Sequence, residues 1–423
     1  MRNRLILLGW LQLILSVASP AQPPVEGPRH ILELLGNRIM AETSYRFIDT
    51  TNRTMMVTNP PRPVVPSVRI LSDYNDWNYF MGVVLSGMMR TAEATNQSKY
   101  REYVLKNFAF IFNHLDYFRD QWEIQQIPRA SFYRVFRMNM LDDCGAMGSA
   151  LAEAYQAERD PRYLRMLQRI GNYIRKVQLR LADGTLARPD PRYMTLWADD
   201  LYMSVPFLVR MAEIANDPRY SEDAISQVMG FAKRLVDPGT GLLKHAWFSD
   251  SVERSVAAWG RANGWAVMAQ VELLSHLLPS HSLKDSLLGT LRRHLTAIAR
   301  YQSEGGLWHQ VLDRPDSYLE TSCSAMFCYG LARAVNRGWL DQSFAQHARR
   351  AWRSIASRVR PDGQIEGICR GTEVGFTMQY YFERPTPLND TRGIGAVLLA
   401  GAEMIWLEGD VCRGDSSKAT ESK

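Results

Sequence analysis

The amino-acid sequence predicts an all-α fold, an (α/α)6 barrel. Six helical hairpins close into a double ring, with short turns or hairpins between the pairs. Three observations predict it. Apolar residues recur at helical spacing in twelve segments: residues 30–43, 79–95, 98–117, 141–157, 161–181, 201–216, 218–235, 257–276, 282–301, 320–336, 341–357 and 391–406. Gly-turn-apolar stretches (Ala182-Asp183-Gly184-Thr185-Leu186, Gly239-Thr240-Gly241-Leu242, Glu304-Gly305-Gly306-Leu307 and Pro361-Asp362-Gly363-Gln364-Ile365) return roughly every sixty residues, once per helix pair. The hairpins are long and unequal, and their aromatic-rich loops converge on one pocket only if the ring closes. An open helical solenoid, the alternative, would show shorter and more uniform repeats.

Taken from the N-terminus, Arg2 and Arg4 precede an apolar run from Leu5 to Val17, and Ser19-Pro20-Ala21 supplies small residues for cleavage. Residues 1–21 therefore read as a secretory signal peptide, and the mature chain is expected to be exported, periplasmic or extracellular. No later stretch has the length and apolarity of a membrane span. No Gly-, Ser- or Pro-rich linker divides the mature chain; Pro60 to Pro66 reads as a loop. Residues 22–412 are expected to form one domain, and residues 413–423 a polar tail. Two helix starts are signalled outright: Asp160-Pro161 and Asp217-Pro218 each place a capping Asp before a Pro at the first helical position. The third copy, Asp190-Pro191-Arg192-Tyr193, lies outside a periodic run and reads as loop.

Net charge is +6, with Arg2 and Arg4 contributing two of those charges. The remaining excess suits an anionic substrate, and the absence of a basic run argues against nucleic acid. The cysteines Cys144, Cys323, Cys328, Cys369 and Cys412 are odd in number and widely spaced, unlike a disulfide framework or a zinc site. One pair can still bridge in an exported protein, with the rest buried as small hydrophobes. Neither a metal nor an organic cofactor is expected. The partner is a small-molecule substrate, with the chain a monomer or a homodimer.

The stretch richest in chemistry is Trp197-Ala198-Asp199-Asp200-Leu201-Tyr202-Met203-Ser204-Val205-Pro206-Phe207-Leu208. Leu201, Val205, Leu208, Ala212 and Ala215 recur at helical spacing, and Pro206 must kink that helix or sit in its first turn. One Asp at such a mouth reads as a cap. Two of them, between Trp197 and Tyr202, leave a proton donor open as well, provided the surroundings hold its proton near neutral pH.

Four further segments add polar and aromatic groups. In Asp76-Trp77-Asn78-Tyr79, the rings read as packing and Asp76 as a cap. In Leu141-Asp142-Asp143-Cys144-Gly145, Asp142 reads as an N-cap, and Asp143 falls in a first turn that favours an anion. His245, in Lys244-His245-Ala246-Trp247, has no second His at metal spacing, so it is either a pocket hydrogen-bonding group or exposed. In Trp259-Gly260-Arg261-Ala262-Asn263-Gly264-Trp265, Arg261 and Trp265 lie one turn apart. They offer a cation and an aromatic plane, suited to a sugar carboxylate and a sugar ring. Trp308 and His309 either line the same mouth or serve the core.

In order, Trp197 to Leu208, Trp259 to Trp265, Gly306 to Asp313 with Glu320 to Phe327, and Asp390-Thr391-Arg392-Gly393-Ile394-Gly395-Ala396 resemble glycoside hydrolase family 105. These are the unsaturated rhamnogalacturonyl hydrolases, related to the unsaturated glucuronyl hydrolases of family 88. The resemblance runs from about Asp76 to Ala400. It implies an (α/α)6 barrel and a cofactor-free hydrolysis of the 4,5-unsaturated uronic acid that lyases leave at a non-reducing end. An Asp protonates C4, water adds at C5, and the hemiketal opens to release the next sugar. This differs from two-carboxylate displacement at the anomeric carbon.

By position in the motifs, the resemblance makes Asp199 the proton donor and general base and Asp143 the second essential carboxylate. It places His245, Arg261 and Trp265 at substrate-binding positions and Trp77 in the same pocket. Asp200 becomes a cap or a support behind the substrate-contacting groups. Asp199 is then expected to have a raised pKa from burial and from anionic Asp143. Three competing readings stand beside this one: an unsaturated glucuronyl hydrolase on glucuronate-rich or sulfated glycans, a non-catalytic oligosaccharide-binding relative, and an open repeat scaffold.

Overall fold

The computed structural model describes residues 27–409 apart from 52, 54 and 57. The export segment expected over 1–21, the tail 413–423 and Cys412 lie outside the described residues. The helices are α1 (Pro28–Glu42), α2 (Tyr79–Thr95), α3 (Ser98–Glu123), α4 (Tyr133–Arg137), α5 (Gly145–Glu158), α6 (Pro161–Lys176), α7 (Val205–Ala215), α8 (Pro218–Leu235), α9 (Gly260–His276), α10 (Lys284–Arg300), α11 (Thr321–Asn336), α12 (Ala345–Ala356), α13 (Met378–Phe382) and α14 (Thr391–Glu408). Leaving out the short α4 and α13, these are the twelve helices read from periodicity.

They form two rings. Helix α2 packs on α5, α5 on α7, α7 on α9, α9 on α11, α11 on α14, and α14 back on α2, which closes the inner ring. Helices α1, α3, α6, α8, α10 and α12 lie outside it, each against its inner neighbours. Burial follows position. Inner α9 is buried without a break from Gly260 to Leu274, whereas outer α6 buries one stripe, Tyr163, Met166, Leu167, Ile170, Tyr173 and Ile174. A helix flanked on all sides is apolar all round; one facing water is apolar on one face.

The capping Asp160 and Asp217 accept from the Arg162 and Arg219 amides as their sequences predicted. Three helix starts lie four residues later than the periodic reading has them: α12 begins at Ala345 after a 3-10 turn over Gln342–Phe344, and the other two bear acids. Residues Leu141–Asp143 and Ala198–Leu201 are 3-10 turns, and α5 and α7 begin only at Gly145 and Val205. Gly145 sits hard against the Met203 carbonyl, where a Cβ would overlap it. This contact locks the two acid-bearing turns together. Asp142 is consequently not an N-cap, a position taken by Cys144; nor does Asp76 cap α2, since Asn78 holds that place and Asp76 accepts from the Phe132 amide at 3.1 Å. The Gly turns are hairpin-like, with bridges Arg180 to Leu186, Val236 to Leu243 and Val359 to Ile365. Helical periodicity gives no sign of a small antiparallel sheet that the fold contains. In it β1 (Thr195–Trp197) pairs with β2 (Ala246–Phe248) in the register Thr195 to Phe248, and β2 with β3 (Glu253–Arg254).

Toward the C-terminal ends of the inner helices lies a belt of buried charge, one residue from each helix and alternating in sign. It runs Arg90 (α2), Glu153 (α5), Arg210 (α7), Glu272 (α9), Arg333 (α11) and Glu403 (α14). Glu153 meets Arg90 at 3.3 Å and Arg210 at 2.6 Å, and Arg210 also meets Glu272 at 2.7 Å. Tyr329 donates to Glu272 at 2.7 Å, and Arg333 meets Glu403 at 2.6 Å. Burial would raise the Glu272 pKa, but Arg210, Arg333 and other cations hold it well below the usual carboxylate range. The belt fixes the order of the inner helices and closes this end of the barrel.

Candidate active site

The opposite end gathers the N-termini of the inner helices. A cavity of ≈ 320 Å³ opens there, lined by Tyr79 from the start of α2, Asp142 ahead of α5, Asp199 and Met203 ahead of α7, and Arg392 on the first turn of α14. Arg188 and Trp197 form one wall, and the loop from Arg370 to Glu373 forms the other. A slightly larger cavity of ≈ 360 Å³ lies between α8 and α10, but its lining is mainly apolar. Its histidine, His294, is pushed down to about 3 by burial and stays neutral.

Asp199 lines the cavity and keeps one buried carboxylate oxygen without a hydrogen-bond partner. Its side chain is 14 % exposed, and Oδ2 stands 3.3 Å from Nε2 of fully buried His245. The pair is close enough to attract but is not aligned as a hydrogen bond, and neither atom has another partner. The other imidazole nitrogen is committed. Tyr381 Oη receives the Gly375 amide at 3.0 Å, so its own proton is free for His245 Nδ1 at 2.8 Å. Nε2 is thus the ring nitrogen left on the Asp199 side. Trp259 packs on the ring at 4.5 Å and Trp197 meets it edge-on at 5.6 Å.

The expected raised pKa of Asp199 is not what the surroundings produce. Burial pushes it up, but His245, Arg188 and Arg261 together outweigh burial and hold it below the usual range. Asp143 is not among the groups acting on it. Fully buried Asp143 is clasped by Arg137, with Nε at 2.9 Å from Oδ2 and Nη2 on Oδ1, and accepts the Asn139 amide at 3.2 Å. It does not line the cavity; its neighbour Asp142 does.

Asp142 and Asp200 share Arg188. Asp142 takes both terminal nitrogens at 3.0 Å, and Asp200 takes Nη2 at 2.6 Å and Nε at 2.9 Å. Burial, with Asp142 and Asp199 nearby, pushes Asp200 up to about 6 against the pull of Arg188. Asp200 is thus no cap; together with Asp142 it fixes Arg188, which stacks 4.5 Å over Trp197.

The remaining sequence candidates lie behind the cavity wall. Arg261 is buried and spends its guanidinium on the Cys369 carbonyl, the Arg370 carbonyl at 2.7 Å and Ser322 at 3.3 Å. It therefore holds the far loop in place, and the cations lining the cavity are Arg188, Arg370 and Arg392. Trp265 packs between Tyr202 and Tyr79. Trp77 donates to the Asp143 carbonyl at 2.7 Å, securing that turn. Trp308 is core, donating to the Ile298 carbonyl at 2.8 Å, and His309 bonds the Ser317 carbonyl. None of these lines the cavity.

Sequence reasoning did not single out Arg188, Arg370 or Tyr381. For Arg188 no local signal exists. For the other two there was one: residues 366–390 carry no helical or strand period, and so long an irregular stretch in a compact domain marks a functional loop. Among the described residues no helix is long and apolar enough to cross a membrane, and Cys144, Cys323, Cys328 and Cys369 are all buried free thiols.

Residues 47–407 match the family model described as Glycosyl Hydrolase Family 88. The chain is 28% identical over 335 residues to the unsaturated rhamnogalacturonyl hydrolase YesR of Bacillus subtilis (strain 168), covering 78% of this chain and 90% of that protein. Its fold matches the crystal structure of a possible member of the GH105 family from Salmonella enterica, with a TM-score of 0.73, 25% identity, and 93% and 98% of the two chains covered. It also matches the unsaturated glucuronyl hydrolase from Bacillus sp. GL1, with a TM-score of 0.61, 18% identity, and 92% and 97% covered.

Proposed function

The chain belongs to glycosyl hydrolase family 88, and from that premise we propose that it removes the 4,5-unsaturated uronic acid from the non-reducing end of lyase-made oligosaccharides of the rhamnogalacturonan type. The observation that carries the reading is the pair of unpartnered buried atoms, Asp199 Oδ2 and His245 Nε2, beside a cavity whose other walls carry Arg188, Arg370 and Arg392. Arg370 suits a uronate carboxylate, while Arg188 is already held by Asp142 and Asp200 and Arg392 by Asp390. The preference for rhamnogalacturonan fragments is supported by the likeness to YesR.

The reaction is the hydration that the family resemblance implies, with its steps assigned to the residues at the cavity. In the free protein Asp199 is anionic. A substrate carboxylate entering the same water-poor cavity is a like charge, and it raises the Asp199 pKa so that the acid takes up its proton in the complex. Asp199 then delivers that proton to C4 of the double bond, and positive charge develops at C5 and the ring oxygen. Water adds at C5, its proton passing to the Asp199 carboxylate just vacated. The C5 hemiketal opens to a ketone, and the aglycone leaves from C1 as the free sugar. His245, fixed by Tyr381, presents Nε2 to Asp199 and holds its orientation.

The test tracks the ultraviolet absorbance of the conjugated double bond in disaccharides made by a rhamnogalacturonan lyase and by a glycosaminoglycan lyase. Wild type should bleach the first faster, and Asp199→Asn should lose at least ~10³-fold in kcat if Asp199 supplies both proton transfers. Faster bleaching of the second would assign the glucuronyl activity instead. Unchanged absorbance on both, with folded protein, would leave the oligosaccharide-binding reading.

A further inference from the structure

The cavity wall does not end at Trp197. On the small sheet, Trp197, Ala246 and Phe248 share one face, since side chains two apart on a strand project alike and Trp197 pairs with Ala246. With Val374 they form an apolar cluster separate from the main core. At its outer end Phe376 stacks on Phe248, with centroids 5.9 Å apart and planes at 16°. Arg192 lies 4.4 Å over Phe248 and 5.5 Å from Phe376. Phe376 is nevertheless 55 % exposed.

A single exposed aromatic residue is ordinary. This one differs in three respects. Its backbone is pinned, because the Gly375 amide is bonded to Tyr381 Oη, the same atom that holds His245. Its ring is supported from below by Phe248. And its loop is continuous with the cavity, because Glu373 lines the cavity three residues earlier. A rigid, flat, apolar surface backed by a cation and joined to a sugar-sized cavity fits the apolar face of a pyranose ring.

We propose that Phe376, supported by Phe248 and Arg192, is a binding platform for sugars past the first one beyond the scissile bond, so that the preferred substrate is an oligosaccharide longer than a disaccharide. The inference rests on the function proposed above. It predicts that binding tightens with chain length and that Phe376 carries the gain.

Dissociation constants would be measured by titration calorimetry for the rhamnogalacturonan-lyase disaccharide and tetrasaccharide. The Asp199→Asn protein, which does not consume them, would be compared with the same protein carrying Phe376→Ala. Phe376→Ala should weaken the tetrasaccharide by about three- to tenfold and leave the disaccharide within about twofold. In the otherwise wild-type enzyme, the same change should raise KM for the tetrasaccharide alone. Equal weakening of both lengths, or no weakening of the tetrasaccharide, would overturn the platform. Loss of length dependence in binding, in a protein that bleaches neither substrate, would support the platform while removing the catalytic reading.

Discussion

Replacing Arg210 by Met tests how the barrel is held closed. Arg210 is buried on α7 and meets Glu153 at 2.6 Å and Glu272 at 2.7 Å. Methionine keeps much of the aliphatic length but removes the charge between two buried carboxylates. Breaking a buried pair from one side strands the partner and costs about 3–5 kcal/mol. At roughly 2.1 cal/mol/K per residue, about 400 residues give an unfolding entropy of about 0.8 kcal/mol/K, so the thermal midpoint should fall by about 4–6 °C.

The pH dependence has a definite sign. The Glu272 pKa is depressed in the folded state, so its contribution is present above the unfolded carboxylate pKa and is lost as pH falls through the folded value. The gap between wild type and Arg210→Met should be widest near neutrality and narrow in acid. Adding Glu153→Gln and Glu272→Gln should recover much of the loss. Thermal unfolding monitored by circular dichroism across this pH range is the assay. A midpoint within about 1 °C of wild type near neutrality would show that the belt contributes nothing to closure.

Other outcomes concern the active-site end. Tyr381→Phe keeps the ring but frees His245 Nδ1 and the Gly375 amide, so kcat should drop about tenfold with KM nearly unchanged; an unaltered kcat and pH profile would remove Tyr381 from the positioning role. Gly145→Ala places a methyl group against the Met203 carbonyl; it should destabilise the fold by about 1–3 kcal/mol and lower activity by separating the Asp143 and Asp199 turns. Wild-type stability together with wild-type activity would show that this contact does not set the site.

Much of the fold was legible locally. The Asp-Pro helix starts, the all-round apolar runs of the inner helices and the one-sided stripes of the outer ones are short-range properties, set by capping, ring geometry and spacing. The helix starts read at 141 and 201 are four residues early, where 3-10 turns precede α5 and α7 and Gly145 packs on the Met203 carbonyl. At the active site, Asp199 stood out among aromatics near a helix start, whereas His245 took its pocket role from the family resemblance. Arg261 and Trp265 share a helix face by spacing, and the family resemblance placed them at substrate-binding positions. Their direction depends on how α9 is rotated in the ring, which the spacing does not contain.

By itself the sequence determined the number, order and amphipathic character of the helices, because these depend on neighbours within a turn or two. Only the tertiary structure decided which of four similar carboxylates is free. Asp143 is taken by Arg137, while Asp142 and Asp200 are both taken by Arg188. Asp199 is left with one unpartnered oxygen beside His245. In low dielectric the state of a carboxylate is set by whichever charges the fold brings within a few ångströms. For Asp142 and Asp199 the partners, Arg188 and His245, each stand 46 residues away along the chain.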